Sequence, residues 1–240
     1  MERDMIPRTA VLMIDMQNTY LEQDRRDRFG WPPIYRLDET IDECVSLVAA
    51  ARAEAVPVIF TRAVSRVDGA DTMPAIAALA RSVGSDEDPV EDETAWSSEI
   101  MDALAPREGE IVLNKPRWDA FFATELENIL RSLDVNRLLI AGLQTNVCID
   151  STTRAALMRN FAVAIPEDAV STDSKHLHYA GLDALRILYA EVAPWRELLT
   201  PEADWTTRLL QIGYGRKYDD LPHPAEPEAT TIAGDATRVG

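Results

Sequence analysis

Leu138–Ala155 reads LLIAGLQTNVCIDSTTRA. Four apolar residues, Leu138 to Ala141, stop at Gly142, and after a polar turn the pattern from about Cys148 to Asn160 suits a helix. A short buried strand that passes through a glycine into a helix is the repeating step of a parallel α/β sheet. The same step recurs on both sides. Ala10–Ile14 (AVLMI), Pro57–Thr61 (PVIFT), Ile111–Leu113 running on to Lys115, and Ala162–Ile165 read as further buried strands. Between them, Asp38 to about Ala55 carries Ile41, Val45, Val48 and Arg52 on one helical stripe, with Asp38 or Thr40 as the N-cap. Thr124 opens another helix, with Glu127 completing a capping box. His176–Val192 reads as helical, with a sixth short strand after it. The alternation predicts an α/β fold with a six-stranded parallel sheet covered by helices on both faces and joined by right-handed crossovers.

The 240 residues, 46% hydrophobic, can bury one sizeable core. One domain over residues 1–200, with an arm over 201–240, accounts for the pattern. The acidic run Asp86–Glu93 reads as a solvated loop, and no internal repeat is present. A formal charge of −17 argues against nucleic acid or an anionic membrane as partner, since both need a basic face. Cys44 and Cys148 are too few for a disulfide framework, which fits a reducing compartment. Residues 2–4 are charged or polar where a signal peptide would begin its apolar core, and no apolar run approaches the roughly 20 residues of a membrane span. A cytoplasmic location is expected.

In open parallel sheets ligands bind beyond the carboxyl ends of the strands, where strand order reverses. Three reactive side chains occupy such ends: Asp15, Lys115 and Cys148. Each alone has a plainer reading, Asp15 as a turn or cap residue, Lys115 as a surface lysine, Cys148 as a small apolar core residue like Cys44. Their coincidence at one sheet edge favours chemistry. Near a helix start, backbone N–H groups and the helix dipole would stabilise a Cys148 thiolate and lower its pKa. Asp15 would take the thiol proton, and Lys115 would stabilise the charged pair.

Three segments carry a family resemblance: Ala10–Tyr20 (AVLMIDMQNTY), Gly109–Leu133 (GEIVLNKPRWDAFFATELENILRSL) and Leu138–Ala155. In this order they resemble the isochorismatase-like cysteine hydrolases over about residues 8–200. The resemblance implies a three-layer α/β/α Rossmann-like fold and an Asp15, Lys115, Cys148 triad. It also implies a non-proline cis peptide at Leu143–Gln144, with the amides of Gln144 and Cys148 as oxyanion-hole donors.

Within that superfamily isochorismatases cleave a vinyl ether and commonly lack the cysteine, so Cys148 favours C–N cleavage of a small amide or ureido substrate. Nicotinamidases of this type bind a metal through histidines after the first strand. Here the histidines are His176, His178 and His223. The first two would diverge by about 200° on a helix and read as surface residues. No metal and no cofactor are expected. The local motifs DMQNTY, KPRWDAFF and TNVC are most similar to ureidoacrylate amidohydrolases, a likeness that points to Trp96; Gln17, Tyr20 and Asn146 are further substrate-binding candidates, and Trp118, Phe121 and Phe122 would either wall an apolar pocket or serve as core residues. The departure is residues 22–36 (EQDRRDRFGWPPIYR), a charged stretch in place of a glycine-rich loop. Arg25, Arg26, Arg28 and Arg36 are candidates there for meeting a substrate carboxylate, or else belong to a solvated face. Two rival readings stay open, a vinyl-ether hydrolase and an idle interaction module. The resemblance further suggests a homo-oligomer. Trp205, Leu209 and Ile212 share one stripe of the arm, to be buried on the parent domain or on a partner chain.

Overall fold

A computed structural model describes residues 8–82 and 92–200. The arm from residue 201, with its proposed apolar stripe, and residues 86–91 of the acidic run lie outside the described residues. The strands are β1 (Thr9–Ile14), β2 (Val58–Ala63), β3 (Ile111–Lys115), β4 (Arg137–Leu143), β5 (Ala162–Pro166), β6 (Val170–Ser171) and β7 (Glu191–Ala193). They pair in parallel in the order β3-β2-β1-β4-β5-β7, and two-residue β6 joins the end of β4. The helices are α1 (Gln23–Phe29), α2 (Leu37–Ala53), α3 (Pro74–Ser82), α4 (Leu126–Ser132), α5 (Asp150–Met158), α6 (Lys175–Leu188) and α7 (Trp195–Leu198).

β1 is buried at all six positions, because it lies at the centre of a sheet covered on both sides. Its side chains alternate between two cores. Ala10, Leu12 and Ile14 pack with Leu126 and Leu130 of α4, Ala156 of α5, and Leu182 and Leu185 of α6. Val11 and Met13 pack with Cys44, Leu47 and Val48 of α2 and Leu198 of α7. Each fully buried Leu, Ile or Val contributes about 1.5–3 kcal/mol. β3 is the sheet edge, and its burial alternates accordingly until Lys115.

Several local expectations are corrected. The buried face of α2 is Thr40, Cys44, Leu47, Val48 and Ala51. The Ile41/Val45/Arg52 stripe lies beside it, with Arg52 bonded to Glu110. The residue before α2 is Arg36, in left-handed backbone and without a side-chain cap, so neither Asp38 nor Thr40 caps it. The Thr124/Glu127 capping box does not form: α4 starts at Leu126, Thr124 Oγ1 accepts from Leu126 N, and Glu127 pairs with Arg131 and Arg159. α6 ends at Leu188, and β7 takes over residues first read as helix. α3 falls in a stretch that carried no helical reading. Among the described residues no helix is long and apolar enough to cross a membrane.

The sheet reverses direction of growth between β1 and β4, and their C-terminal ends approach very closely. At Gly142 a Cβ would sit 2.1 Å from the Ile14 carbonyl oxygen, and φ is 109°. Glycine alone fits there. The adjoining Leu143–Gln144 peptide is cis.

Candidate active site

β1 ends in a turn at Asp15, whose backbone is left-handed at φ 50°, a conformation that Asp tolerates better than most residues. Its N–H donates to the Thr61 carbonyl at 3.2 Å. Its side chain accepts from the Thr61 hydroxyl at 2.7 Å (Oδ1) and faces Lys115 Nζ at 2.7 Å (Oδ2). Lys115, the last residue of β3, also donates to the Arg117 carbonyl at 3.0 Å and to Cys148 Sγ at 3.3 Å. An ammonium has three protons, and here three acceptors surround it. Asp15 is 0% exposed, Lys115 1% and Cys148 6%. A second buried charge pair, Arg137–Glu191, lies at the opposite end of β4 and carries the Leu198 carbonyl on the same guanidinium. It ties the base of the sheet together, whereas the Asp15–Lys115 pair borders a cavity.

Cys148 does not begin a regular α-helix. It lies in a π-helical turn, Thr145–Ile149, ahead of α5. Burial pushes its thiol up to about 12; Lys115 opposes this, and Asp15 adds to it by charge and by hydrogen bonding. The expectation of a lowered thiol pKa is therefore overturned, because enclosure outweighs the turn's N–H groups and the nearby cation is already matched by Asp15. Burial alone would lower Lys115, but Asp15 and Cys148 more than reverse that and raise it. The resting group is a thiol beside an ammonium and a carboxylate.

A cavity of about 310 Å³ opens above these three residues. Of the substrate-binding candidates, Gln17, Tyr20 and Trp118 line it, as does Gln144 of the cis peptide. The Gln17 amide is committed to backbone, accepting from Ala63 N at 2.8 Å and donating to the carbonyls of Ser98 and Ala63. That makes it a clamp between β1, β2 and the following loop. Burial, with Cys148, Asp15 and Asp173 nearby, holds the Tyr20 phenol well above its usual value, so it remains a donor. The other candidates lie elsewhere. Phe121 is buried in the core, stacked on Phe161 at 5.8 Å, because the chain turns inward there to meet α5. Phe122 is exposed beneath Arg117. Trp96 is 56% exposed and absent from the lining. Asn146 also lies off the cavity, its Cβ close to Gly181 of α6. Leu143 is a core residue.

The sequence reading missed Thr61, Trp31, Met73, Ile76, Arg117 and Asp173. All but Thr61 line the cavity. Thr61 carried a usable signal, a polar residue ending an apolar strand beside Asp15. His178 is also corrected: it is buried, not superficial, with Nδ1 2.9 Å from Thr145 Oγ1. Burial and Arg36 lower it to about 4. Unfolded, a histidine titrates near 6.5, so the unfolded chain takes up this proton first. The stabilisation is present above about pH 6.5 and is lost as pH falls towards 4, by about 3 kcal/mol in all. Urea unfolding of wild type and His178→Gln at pH 7 and 4.5 checks this. The wild type should lose about 2–3 kcal/mol more than the variant; equal losses contradict it.

No group of three His, Cys, Asp or Glu able to hold a metal occurs among the described residues. Residues 9–197 match the family model described as the isochorismatase domain. The chain belongs to the isochorismatase family. It is 30% identical over 176 residues to ureidoacrylate amidohydrolase RutB of Pantoea ananatis, covering 67% of this chain and 68% of that one. It is 31% identical over 170 residues to the Klebsiella pneumoniae protein of the same name, covering 67% and 72%. The crystal structure of an isochorismatase family protein from Desulfovibrio vulgaris superposes with a TM-score of 0.69 at 27% identity, covering 80% of this chain and 96% of that chain. Membership in this hydrolase family agrees with the parallel sheet and its switch point between β1 and β4.

Proposed function

We propose that the protein is a cysteine-dependent amidohydrolase that cleaves the C–N bond of a small linear amide or ureido (carbamoyl) substrate. The observation that carries the reading is Lys115 Nζ bridging Asp15 and Cys148 at the floor of the cavity. The likeness to two proteins named ureidoacrylate amidohydrolase supports a ureido substrate.

A thiol at about 12 is a weak nucleophile until its proton leaves. Asp15 takes that proton as Cys148 Sγ forms its bond to the substrate carbonyl carbon. The carbonyl electrons move to oxygen, where the amides of Gln144 and Cys148 are the proposed donors. Collapse breaks the C–N bond, and ammonia or an amine departs with the proton held by Asp15. Water then gives a proton to Asp15 and adds to the thioester or thiocarbamate. The C–S bond breaks, and the sulfur recovers its proton from Asp15. Lys115 remains an ammonium throughout, holding both partners in line. Thr61 keeps the other Asp15 oxygen engaged, so a single oxygen addresses the proton.

Ammonia release across ureido acids, carbamoyl amino acids and primary amides tests the reading. Turnover of at least one class, without added metal, is expected. Activity confined to a vinyl ether such as isochorismate, retained in Cys148→Ala, would replace it with the vinyl-ether reading.

A further inference from the structure

Most polar side chains around the cavity are already engaged by the protein. Lys115 directs its three protons to Asp15, the Arg117 carbonyl and Cys148. Gln17 is held by backbone on both sides. Arg26 braces α1: its Nη1 donates to the Tyr20 carbonyl and its Nη2 to Gln23 Oε1 at 2.6 Å, while its Nε is enclosed beyond a ligand's reach. Arg117 turns Nη1 to the Asp71 and Pro116 carbonyls at 2.8 and 2.6 Å. Asp173 differs: it accepts from the Thr172 hydroxyl at 3.3 Å, and no cation pairs with it among the described residues. The rest of the wall is largely apolar. Trp31, Pro32 and Ile34, from the loop after α1, line the cavity together with Met73 and Ile76, at the start of α3, and Trp118, after β3. Both segments are anchored. Trp31 N donates to the Arg26 carbonyl at 2.8 Å, its ring stacks on Phe29 at 4.9 Å, and Tyr35 N donates to the Thr172 carbonyl at 2.7 Å. Arg117 holds Asp71 just ahead of α3. At about 310 Å³ the cavity reaches the range, about 300–1,000 Å³, of preformed sites that enclose drug-sized ligands.

We infer that the substrate carries, beyond its scissile carbonyl, an uncharged apolar substituent of phenyl size that packs between the loop after α1 and the start of α3. This rests on the amidohydrolase reading and deepens it. The substrate class is a neutral aryl-alkyl amide or ureide. An apolar wall is stabilised when an apolar group displaces water from it. Trp31 and Trp118 offer rings for stacked or edge-on contact, and the Met73 thioether adapts to the outline of the group between them. Asp173, on the same wall, opposes a carboxylate at the far end of the substrate. Val147 and Cys148 border the same space, so a carbonyl held at the sulfur and a ring held by Trp31 and Ile76 occupy one continuous cavity.

Ammonia release from N-(2-phenylethyl)urea, N-propylurea and 3-ureidopropionate tests the inference in wild type, Ile76→Asn and Asp173→Asn. Wild type should turn over the phenylethyl ureide with kcat/KM roughly 10- to 100-fold above the propyl one, the worth of burying a phenyl-sized side chain. 3-Ureidopropionate should fall below both. Ile76→Asn places a polar side chain in the wall and should cut the phenylethyl-over-propyl ratio about tenfold, mainly through KM. Asp173→Asn should raise 3-ureidopropionate relative to N-propylurea. Equal kcat/KM for the phenylethyl and propyl ureides, or a preference for the acid, overturns the inference. So does an unchanged ratio in Ile76→Asn or an acid no better in Asp173→Asn. Calorimetric binding to Cys148→Ala needs no change in the wall and separates the subsite from the reaction assignment. There the phenylethyl ureide should bind more tightly than either of the others. Equal binding overturns the apolar subsite, even if wild type hydrolyses all three. Tighter binding of the phenylethyl ureide without turnover of any amide or ureide leaves the subsite standing and sinks the amidohydrolase reading.

Discussion

Cys148→Ala and Cys148→Ser should abolish ammonia release while the chain stays folded. The sulfur borders the cavity in contact with Lys115, and loss of a covalent nucleophile costs on the order of 10³-fold or more in kcat. The fold should hardly notice. Cys148 is a small side chain in a turn, and trimming it costs about 1 kcal/mol by analogy with other small core truncations. The serine hydroxyl can still accept from Lys115, so Cys148→Ser should be the more stable of the two. It should be no more active, because an alcohol gives up its proton less readily than a thiol and Asp15 is no stronger a base for it. Retention of more than a few per cent of the wild-type rate, with unchanged unfolding, would remove Cys148 from the mechanism.

Lys115→Met should lose both activity and stability. Methionine fills similar space but leaves the Asp15 carboxylate buried opposite a thioether, with the Thr61 hydroxyl and the Cys148 thiol as its remaining side-chain partners. Breaking one side of a buried ion pair costs about 3–5 kcal/mol, most of it the uncompensated charge. Adding Asp15→Asn removes that charge, so the double variant should be more stable than Lys115→Met alone while remaining inactive. Urea unfolding of the wild type, both single variants and the double variant checks the coupling. Additive losses would mean that the 2.7 Å contact has no energetic weight.

The strands are where the sequence is most legible. Ala10–Ile14 and Leu138–Ala141 are continuous apolar runs because both faces of their strands are covered. That reading led to a parallel sheet and put Asp15, Lys115 and Cys148 at its carboxyl edge. The electrostatic state of Cys148 was not legible. It depends on how far the π-helical turn sinks between β4 and α6, and no local pattern encodes that depth. Of the aromatic candidates, Tyr20 and Trp118 line the cavity and Phe121 and Phe122 do not. Phe121 and Phe122 are adjacent, and one backbone rotation decides which enters the core; neither faces the cavity. Residues 22–36 are charged and read either as a carboxylate-meeting stretch or as a solvated face; Arg26, Trp31, Pro32 and Ile34 line the cavity, and the apolar members among them carried no signal in so charged a context.

The placement of Asp15, Lys115 and Cys148 has a consequence for how the chain matures. Asp15 follows β1, Lys115 ends β3 and Cys148 lies in the turn after β4, so the three come from both sides of the switch point, and Lys115 reaches Asp15 across β2. Helices α2 and α5 rest on local contacts and should form early, whereas pairing β1 with β4 and β2 with β3 must close long loops. Helical signal should therefore return early when the unfolded chain is refolded, and hydrolytic activity only with the last long-range strand pairing. A nascent chain interrupted before β4 lacks Cys148 and cannot assemble the proposed centre.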